Sequence, residues 1–430
     1  MDAAENELLT RVGSATPMGA LLRRYWMPLA GASEFNSTPI KAVRLLGEDL
    51  VLYKDLSGTF GLVQRACAHR RADLSYGFVE RCGLRCNYHG WAYNETGQCV
   101  EMPYEDTVVP QSGYKKRVKI VAYPVRVHAG LVWAYLGPQP IPELPDWEAF
   151  SWSNGHRQII ISEIPCNWLQ CQENSIDPVH FEWMHTNWSR RQTNPQARLG
   201  PKHLQVAFDS FEYGLIYRRQ REDLPLDHSM WLVGRVCLWP NCFFLGDHFE
   251  WRVPIDDENT LSVAWFYSRV PHEMEPYVQA EIPTWHGPLV DPRTGRWIST
   301  HVMNQDFIAW VGQGRIADRT KEKLGLSDRG VQMLRKQLHE DLQAIERGED
   351  PKGVIRDPLI NSKIKLPVAD RELLEKGVSL QQMRANPVYG EHLERFRFQA
   401  GQPRAVWDDF CLAMGIGGTP QVDDQYVIQI

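Results

Sequence analysis

The chain has no run of 18 apolar residues, so no bilayer-spanning helix is expected. It has no surplus of positive charge either. Its 47 Lys and Arg face 53 Asp and Glu, and a net charge of -6 gives nucleic acid no electrostatic footprint. No G-x-G-x-x-G fingerprint occurs, so any electrons drawn from a dinucleotide must arrive through another protein. The first residues, Met1-Asp-Ala-Ala-Glu-Asn-Glu7, are acidic and lack an apolar core. Arg23-Arg24 precedes an apolar stretch too short and broken for a twin-arginine leader, so export is not expected. Nine cysteines are an odd number for a disulfide framework. Cys82, Cys99, Cys166, Cys171, Cys237, Cys242 and Cys411 read as free thiols of a reducing cytoplasm. There is no internal repeat. What the chain does have is length: 430 residues are enough for two or three domains with sizeable cores.

Residues 40–137 read as short strands separated by Gly, Asp and Asn, with 43–53, 61–64, 88–93 and 130–135 the clearest. Such spacing predicts a small antiparallel β domain over 20–140. The proline-rich stretch 138–145 is a stiff, extended connector and a natural boundary. In the second domain, 141–430, the stretches 204–211, 214–221, 231–239, 248–255 and 260–270 predict an antiparallel sheet curved round a pocket. Helical text brackets it. The stretch 327–346 carries apolar residues at 331, 334, 338, 342 and 345, with Ser327 as the expected N-cap. The last 60 residues show weak periodicity and no motif. The fold class is therefore α+β.

Two half-sites carry the first chemistry: Cys67-Ala-His69 and, sixteen residues later, Cys86-Asn-Tyr-His89. Each offers one thiolate and one imidazole. The order Cys, His, Cys, His suits a [2Fe–2S] centre of the Rieske type, in which two Cys bind one iron and two His the other. Zinc is the competing ion. Zinc fingers, however, normally run Cys, Cys, His, His with a helix carrying the histidines, whereas here Gly90-Trp91-Ala92-Tyr93-Asn94 reads as turn and strand.

The second constellation is 167–185, with Glu173, Asn174, Asp177, His180, Glu182 and His185. On an ideal α-helix, i and i+5 point about 140° apart. His180 and His185 can therefore serve one ion only if the helix ends or bulges between them, as helices often do at functional sites. Otherwise both are ordinary helix histidines.

With Arg70 after the first half-site and Gly90-Trp91 after the second, the chain resembles the Rieske domain of ring-hydroxylating oxygenases, Ala68 replacing a common Pro. The segment 167–185 resembles the mononuclear-iron segment of the same family, and Met303-Asn-Gln-Asp306 with 307–320 resembles its downstream carboxylate region. Val311 stands where relatives usually carry Glu. The resemblance covers roughly residues 20–350 and is best to the phthalate-dioxygenase-like branch, including the tract 318–328.

The resemblance implies an N-terminal Rieske domain over 20–140 and a catalytic helix-grip domain over 141–430. It implies cluster ligands Cys67, His69, Cys86 and His89, and mononuclear iron ligands His180, His185 and Asp306. Asp177, supported by Asn174, would link His89 of one subunit to His180 of the next, in a homotrimer or stacked trimers. Electrons would come from a separate NAD(P)H-dependent flavin and iron–sulfur reductase. The substrate would be O2 with an aromatic carboxylate, held by a bidentate guanidinium fork; of Arg218, Arg219, Arg221, Arg235 and Arg252, the expected pair is Arg221 and Arg252. Trp183, Trp231, Trp239, Phe244, Trp251 and Trp310 are candidate pocket walls or plain core. The expected reaction is cis-dihydroxylation of a benzoate- or phthalate-type acid. The alternatives are O- or N-demethylation on the same scaffold and, in other classes, a Rieske electron carrier or a structural zinc protein.

Overall fold

The computed structural model describes residues 1–386 and 400–416. They form two compact units: Arg11–Pro142 with Val253–Asp257, and Met1–Thr10, Glu143–Arg252 and Glu258–Ile430. Within the described residues, no helix is long and apolar enough to cross a membrane.

The first unit is built of short antiparallel ladders. One four-stranded sheet takes Ile40–Leu45, Glu48–Lys54, Phe60–Gln64 and Ala122–Tyr123; another takes Phe78–Val79, Leu84–Arg85, Ala92–Tyr93 and Cys99–Glu101. The stretch 43–53, expected as one strand, is instead part of a hairpin. Leu46 and Gly47 both adopt left-handed φ values, 49° and 78°, the turn whose twist matches that of its flanking strands. Of the strand expected over 88–93, only Ala92–Tyr93 is strand, because the residues before them form a loop. Val51, Tyr53, Val63, Leu74, Leu84, Trp91 and Tyr93 pack into one core with Cys67 and Cys86.

The second unit holds an eight-stranded sheet. Its order is His203–Phe211, Gly214–Arg221, Arg235–Leu238, Cys242–Phe244, His248–Pro254, Thr260–Arg269, Gly155–Ile164 and Thr284–His286. The last pair is parallel, so the sheet is mixed rather than wholly antiparallel. Gly155–Ile164 was not foreseen. It is buried along nearly its whole length, so it lacks the alternation that betrays a half-exposed strand. The stretch 231–239 is split: Ser229–Leu232 is a helical turn and the strand begins only at Arg235, after Gly234 at φ 82°. The long helix Arg329–Glu346 buries Val331, Leu334, Leu338 and Leu342 as its periodicity requires. Its N-cap is Asp328, not Ser327, which lies in a preceding 3-10 turn. The expectation for the last 60 residues falls partly outside the described residues; those described include the helix Arg404–Ala413.

Candidate metal centres

The two Cys/His half-sites occupy loops of matching design. Cys67 N–H donates to Ala72 C=O (2.8 Å) and Arg71 N–H to Cys67 C=O (2.9 Å). In the second loop, Cys86 N–H donates to Trp91 C=O (2.8 Å) and Gly90 N–H to Cys86 C=O (3.1 Å). Arg71 and Gly90, equivalent positions, are both left-handed, at φ 63° and 74°. The shared geometry buries both thiols and sets the His69 and His89 rings 4.4 Å apart, centroid to centroid. Trp91 stacks on His69 at 4.5 Å, and the Tyr93 hydroxyl lies 3.2 Å from Cys67 Sγ. His69 Nδ1 is buried without a hydrogen-bond partner. An orphaned buried imidazole nitrogen beside a second imidazole and two buried thiols is the donor set that a two-Cys, two-His [2Fe–2S] cluster takes up.

The second centre begins at the helix Trp168–Asn174, capped by Asn167, whose Oδ1 accepts from Leu169 N (3.0 Å). The chain turns before Pro178, then continues as a π-helix over Phe181–Trp188. This is the bulge that the histidine spacing demands. One wide turn brings His185 back over His180, with ring centroids 5.1 Å apart. The helix Val302–Val311 supplies Asp306, whose Oδ1 lies 3.7 Å from His180 Nε2 and 3.4 Å from His185 Nε2. One donor atom from each of the three residues falls within 4.8 Å of the others. Burial alone would raise the Asp306 carboxyl, but the facing His185 and His180 imidazoles, helped by Arg252, hold it below the usual carboxylate range. Two imidazoles and one carboxylate on one side fit a ferrous ion and leave further positions open.

The surroundings of these donors are polar and ordered. Asn174 Nδ2 donates to Asp306 Oδ1 (3.2 Å). Asp177 Oδ1 accepts from Val179 N–H (2.8 Å), and its Oδ2 stands 3.4 Å from His180 Nδ1. At that distance the pair touches without forming a hydrogen bond in this structure. Glu173 and Glu182, the other carboxylates of the segment, are engaged elsewhere. Glu173 is clamped by Arg319 and Arg335 (both 2.7 Å), and Glu182 accepts from His203 N and Nδ1.

Comparison with known proteins is decisive. A family model for the Rieske [2Fe-2S] domain matches residues 25–122, and one for the LigXa C-terminal domain matches 293–397. The chain is 57% identical over 406 residues, 94% of its length and 95% of the relative's, to the 5,5'-dehydrodivanillate O-demethylase oxygenase subunit of a Sphingobium species. It is a Rieske non-haem iron oxygenase, alpha subunit. The oxygenase is also 32% identical, over 81% of its length and 88% of the relative's, to the phthalate 4,5-dioxygenase oxygenase subunit of Pseudomonas putida. Its fold is that of the terminal oxygenase of carbazole 1,9a-dioxygenase from Nocardioides aromaticivorans, with a TM-score of 0.54 at 19% identity, covering 81% of this chain and 97% of that one.

The arginines of the oxygenase's sheet sort by their neighbours. Arg221 is ion-paired with Asp223 (2.6 Å). Arg252 is fully buried, paired with Glu250 (2.9 Å) and stacked 4.8 Å over Trp310. Arg218 is paired with Asp209. Arg219 and Arg235 have no carboxylate at salt-bridge distance among the described residues, although Asp223 and Asp370 act on them from farther away. Their guanidinium carbons lie 4.3 and 5.0 Å from the centroid of Phe181, whose ring packs against both His180 and His185. Arg219 Nε and Arg235 Nη1 are buried without hydrogen-bond partners. Burial first, and then the Arg235 charge, lowers the Arg219 pKa to about 9, which still leaves it protonated at neutral pH. The sequence held a signal for this sorting. Residues two apart share a strand face, and Arg221 and Arg252 each have an acid at such a position while Arg219 and Arg235 have none. Of the aromatic candidates, Trp239, Phe244, Trp251 and Trp310 are buried core, and Trp183 is exposed.

Proposed function

We propose that the oxygenase removes a methyl group from a methoxylated aromatic carboxylate. One comparison favours this reading over cis-dihydroxylation, and one structural observation supports the substrate class. The 57% identical relative is an O-demethylase subunit, and it matches nearly end to end. The single structural observation that carries the substrate class is the guanidinium pair of buried Arg219 and half-buried Arg235, neither in a salt bridge and each with one buried nitrogen lacking a hydrogen bond, one ring away from the iron-ligand candidates. Two like charges held together out of water are costly unless an anion joins them, and a carboxylate accepts from a guanidinium fork in bidentate fashion. Arg221 and Arg252, already neutralised, then serve the sheet.

In this reading Cys67, Cys86, His69 and His89 hold the cluster, and His180, His185 and Asp306 hold the mononuclear iron. Residues 20–140 form the cluster domain and 141–430 the catalytic one. When bound, the two centres supply electron storage and oxygen activation, with electrons from an NAD(P)H-dependent flavin and iron–sulfur reductase. Asp177, touching His180 on one side, would reach His89 of a neighbouring subunit on the other, which requires a closed ring such as a trimer or stacked trimers. Asn174 holds Asp306 in place. The balance is one O2 and two electrons with two protons per methoxy group. One oxygen atom enters the methyl C–H bond, the resulting hemiacetal breaks into phenol and formaldehyde, and the other oxygen leaves as water.

The test is product analysis on a panel of methoxybenzoates, their methyl esters and unsubstituted benzoates, with a partner reductase and 18O2. Formaldehyde released in step with a phenolic acid, from free acids and not from esters, is the expected result. A cis-dihydrodiol without formaldehyde would instead favour the dihydroxylating reading, to which the 32% identical phthalate relative lends the lesser support.

A further inference from the structure

His185 and His180 face the same space, yet their outer nitrogens meet different partners. His180 Nδ1 stands 3.4 Å from the carboxylate of Asp177. His185 Nδ1 is 2.9 Å from the side-chain oxygen of Gln305. Gln305 is fully buried on the helix Val302–Val311, immediately before Asp306. Its Nε2 donates to the Ser299 carbonyl (2.9 Å) and to Ser189 Oγ (2.7 Å).

The order of donors in this chain of bonds has one solution. A backbone carbonyl only accepts, so the Gln305 amide nitrogen must face Ser299. That puts Oε1 toward His185, and an amide oxygen only accepts, so His185 Nδ1 must carry the proton. In the neutral ring, Nε2 is then the lone-pair nitrogen, and it is the atom that points at Asp306 Oδ1 from 3.4 Å. We propose that Gln305 is a positioning residue that fixes His185 as the Nδ1–H tautomer and aims its Nε2 at the iron, with Ser299 and Ser189 holding the amide the right way round. The inference rests on His185 being an iron ligand. It also makes the two histidines unequal donors. A carboxylate facing the outer nitrogen, as Asp177 faces that of His180 without a hydrogen bond here, raises imidazole basicity more than an amide does once it closes on that nitrogen.

The test uses the holoenzyme with its cluster in place and varies Gln305 by function. Gln305→Leu keeps the volume and removes the acceptor. Gln305→Glu keeps an acceptor for Nδ1–H but turns an oxygen toward Ser299 C=O and adds charge. Mononuclear ferrous iron is titrated by chelator competition, and its environment is read from the electron paramagnetic resonance signal of the nitric oxide adduct. Gln305→Leu should bind iron about 10- to 100-fold more weakly, the usual cost of losing a hydrogen bond to a ligand histidine. Gln305→Glu should retain iron but change the rhombicity of the signal, since His185 becomes the more basic donor. The cluster absorbance should be unchanged in both. Wild-type iron affinity in Gln305→Leu would overturn the proposal, as would equal losses in both variants, which would mean the residue only packs. Should Gln305→Leu fail to fold, a Gln305→Glu signal identical to wild type overturns it alone. His185→Ala separates the two levels. If it keeps its iron, the ligand assignment falls and the relay with it; if it loses iron while both Gln305 variants match wild type, only the relay falls.

Discussion

Replacing Arg219 with Met should make the substrate-free oxygenase more stable and its substrate complex weaker. The Arg219 pKa falls from 12.5 to about 9; at about 1.4 kcal/mol per pKa unit, that is an electrostatic penalty of about 5 kcal/mol. Relaxation absorbs part of it, and exchanging a buried ionic group for an apolar one of similar volume typically gains about 1–4 kcal/mol. Met also keeps a favourable sulfur contact with Phe181. The melting temperature without substrate should therefore rise by several degrees. A hydrogen bond from a charged donor contributes about 1.5–3 kcal/mol, so the proposed carboxylate substrate should bind roughly 10- to 150-fold more weakly. The assay is thermal melting with and without a methoxybenzoate, paired with titration of that acid and its primary amide. The amide carries no charge and should bind wild type and variant alike. A lower melting temperature in Arg219→Met, or equal weakening of acid and amide, would refute the argument that this pair awaits an anion.

Four further outcomes are expected. Cys86→Ala should bleach the red-brown cluster, while Asp306→Ala should keep the colour and lose only the mononuclear iron, as iron analysis and visible absorbance will show. Asp177→Asn keeps the oxygen that caps Val179 N–H but loses the charge facing His180. It should keep all its iron yet slow cluster reoxidation about 10- to 100-fold in stopped flow with substrate and O2. Mixing Cys86→Ala with Asp306→Ala chains should restore activity if the two centres cooperate between subunits. Glu173→Gln should destabilise the protein by about 3–5 kcal/mol, because the fully buried Arg319 loses its counter-ion, while Arg335 keeps only Glu322. Burial alone would raise the Glu173 carboxyl, but Arg319 and then Arg335 hold it below its usual value. Its stabilisation is thus complete above the unfolded pKa of about 4.3 and is lost as pH falls through the lower folded value. The gap in melting temperature between wild type and variant should be flat near neutrality and close in acid.

Much of the site could be read directly. The alternating Cys, His, Cys, His order of the half-sites pointed to the cluster over zinc, and the five-residue gap between His180 and His185 required a distorted helix if both serve one ion, which the π-helix supplies. Asp306 is a different case. Nothing local distinguishes it from other carboxylates, and only the family resemblance singled it out. Strands with one wet face were legible, whereas Gly155–Ile164 hid because burial on both sides erases alternation. The hairpin at Leu46–Gly47 was missed because a turn need not contain Asn or Asp when a Leu accepts left-handed geometry. Gln305 carried no signal of its own, since an amide becomes informative only once its neighbours in space are known.

The wide turn between the two histidines has an effect beyond bringing them together. A pair four apart on an ordinary α-helix would also share a side, so the ligands themselves do not need the extra residue. What it changes is the phase of everything that follows. One added residue rotates the later part of the helix by about 100°. Asn187 then receives the Gly200 amide (2.7 Å), and Ser189 meets the Gln305 amide nitrogen (2.7 Å). Removing one residue from that turn would leave a histidine pair intact and swing both of these anchors out of reach. The insertion acts as a gear tooth: it sets which side chains meet the Gly200 backbone and which mesh with the helix that brings Asp306.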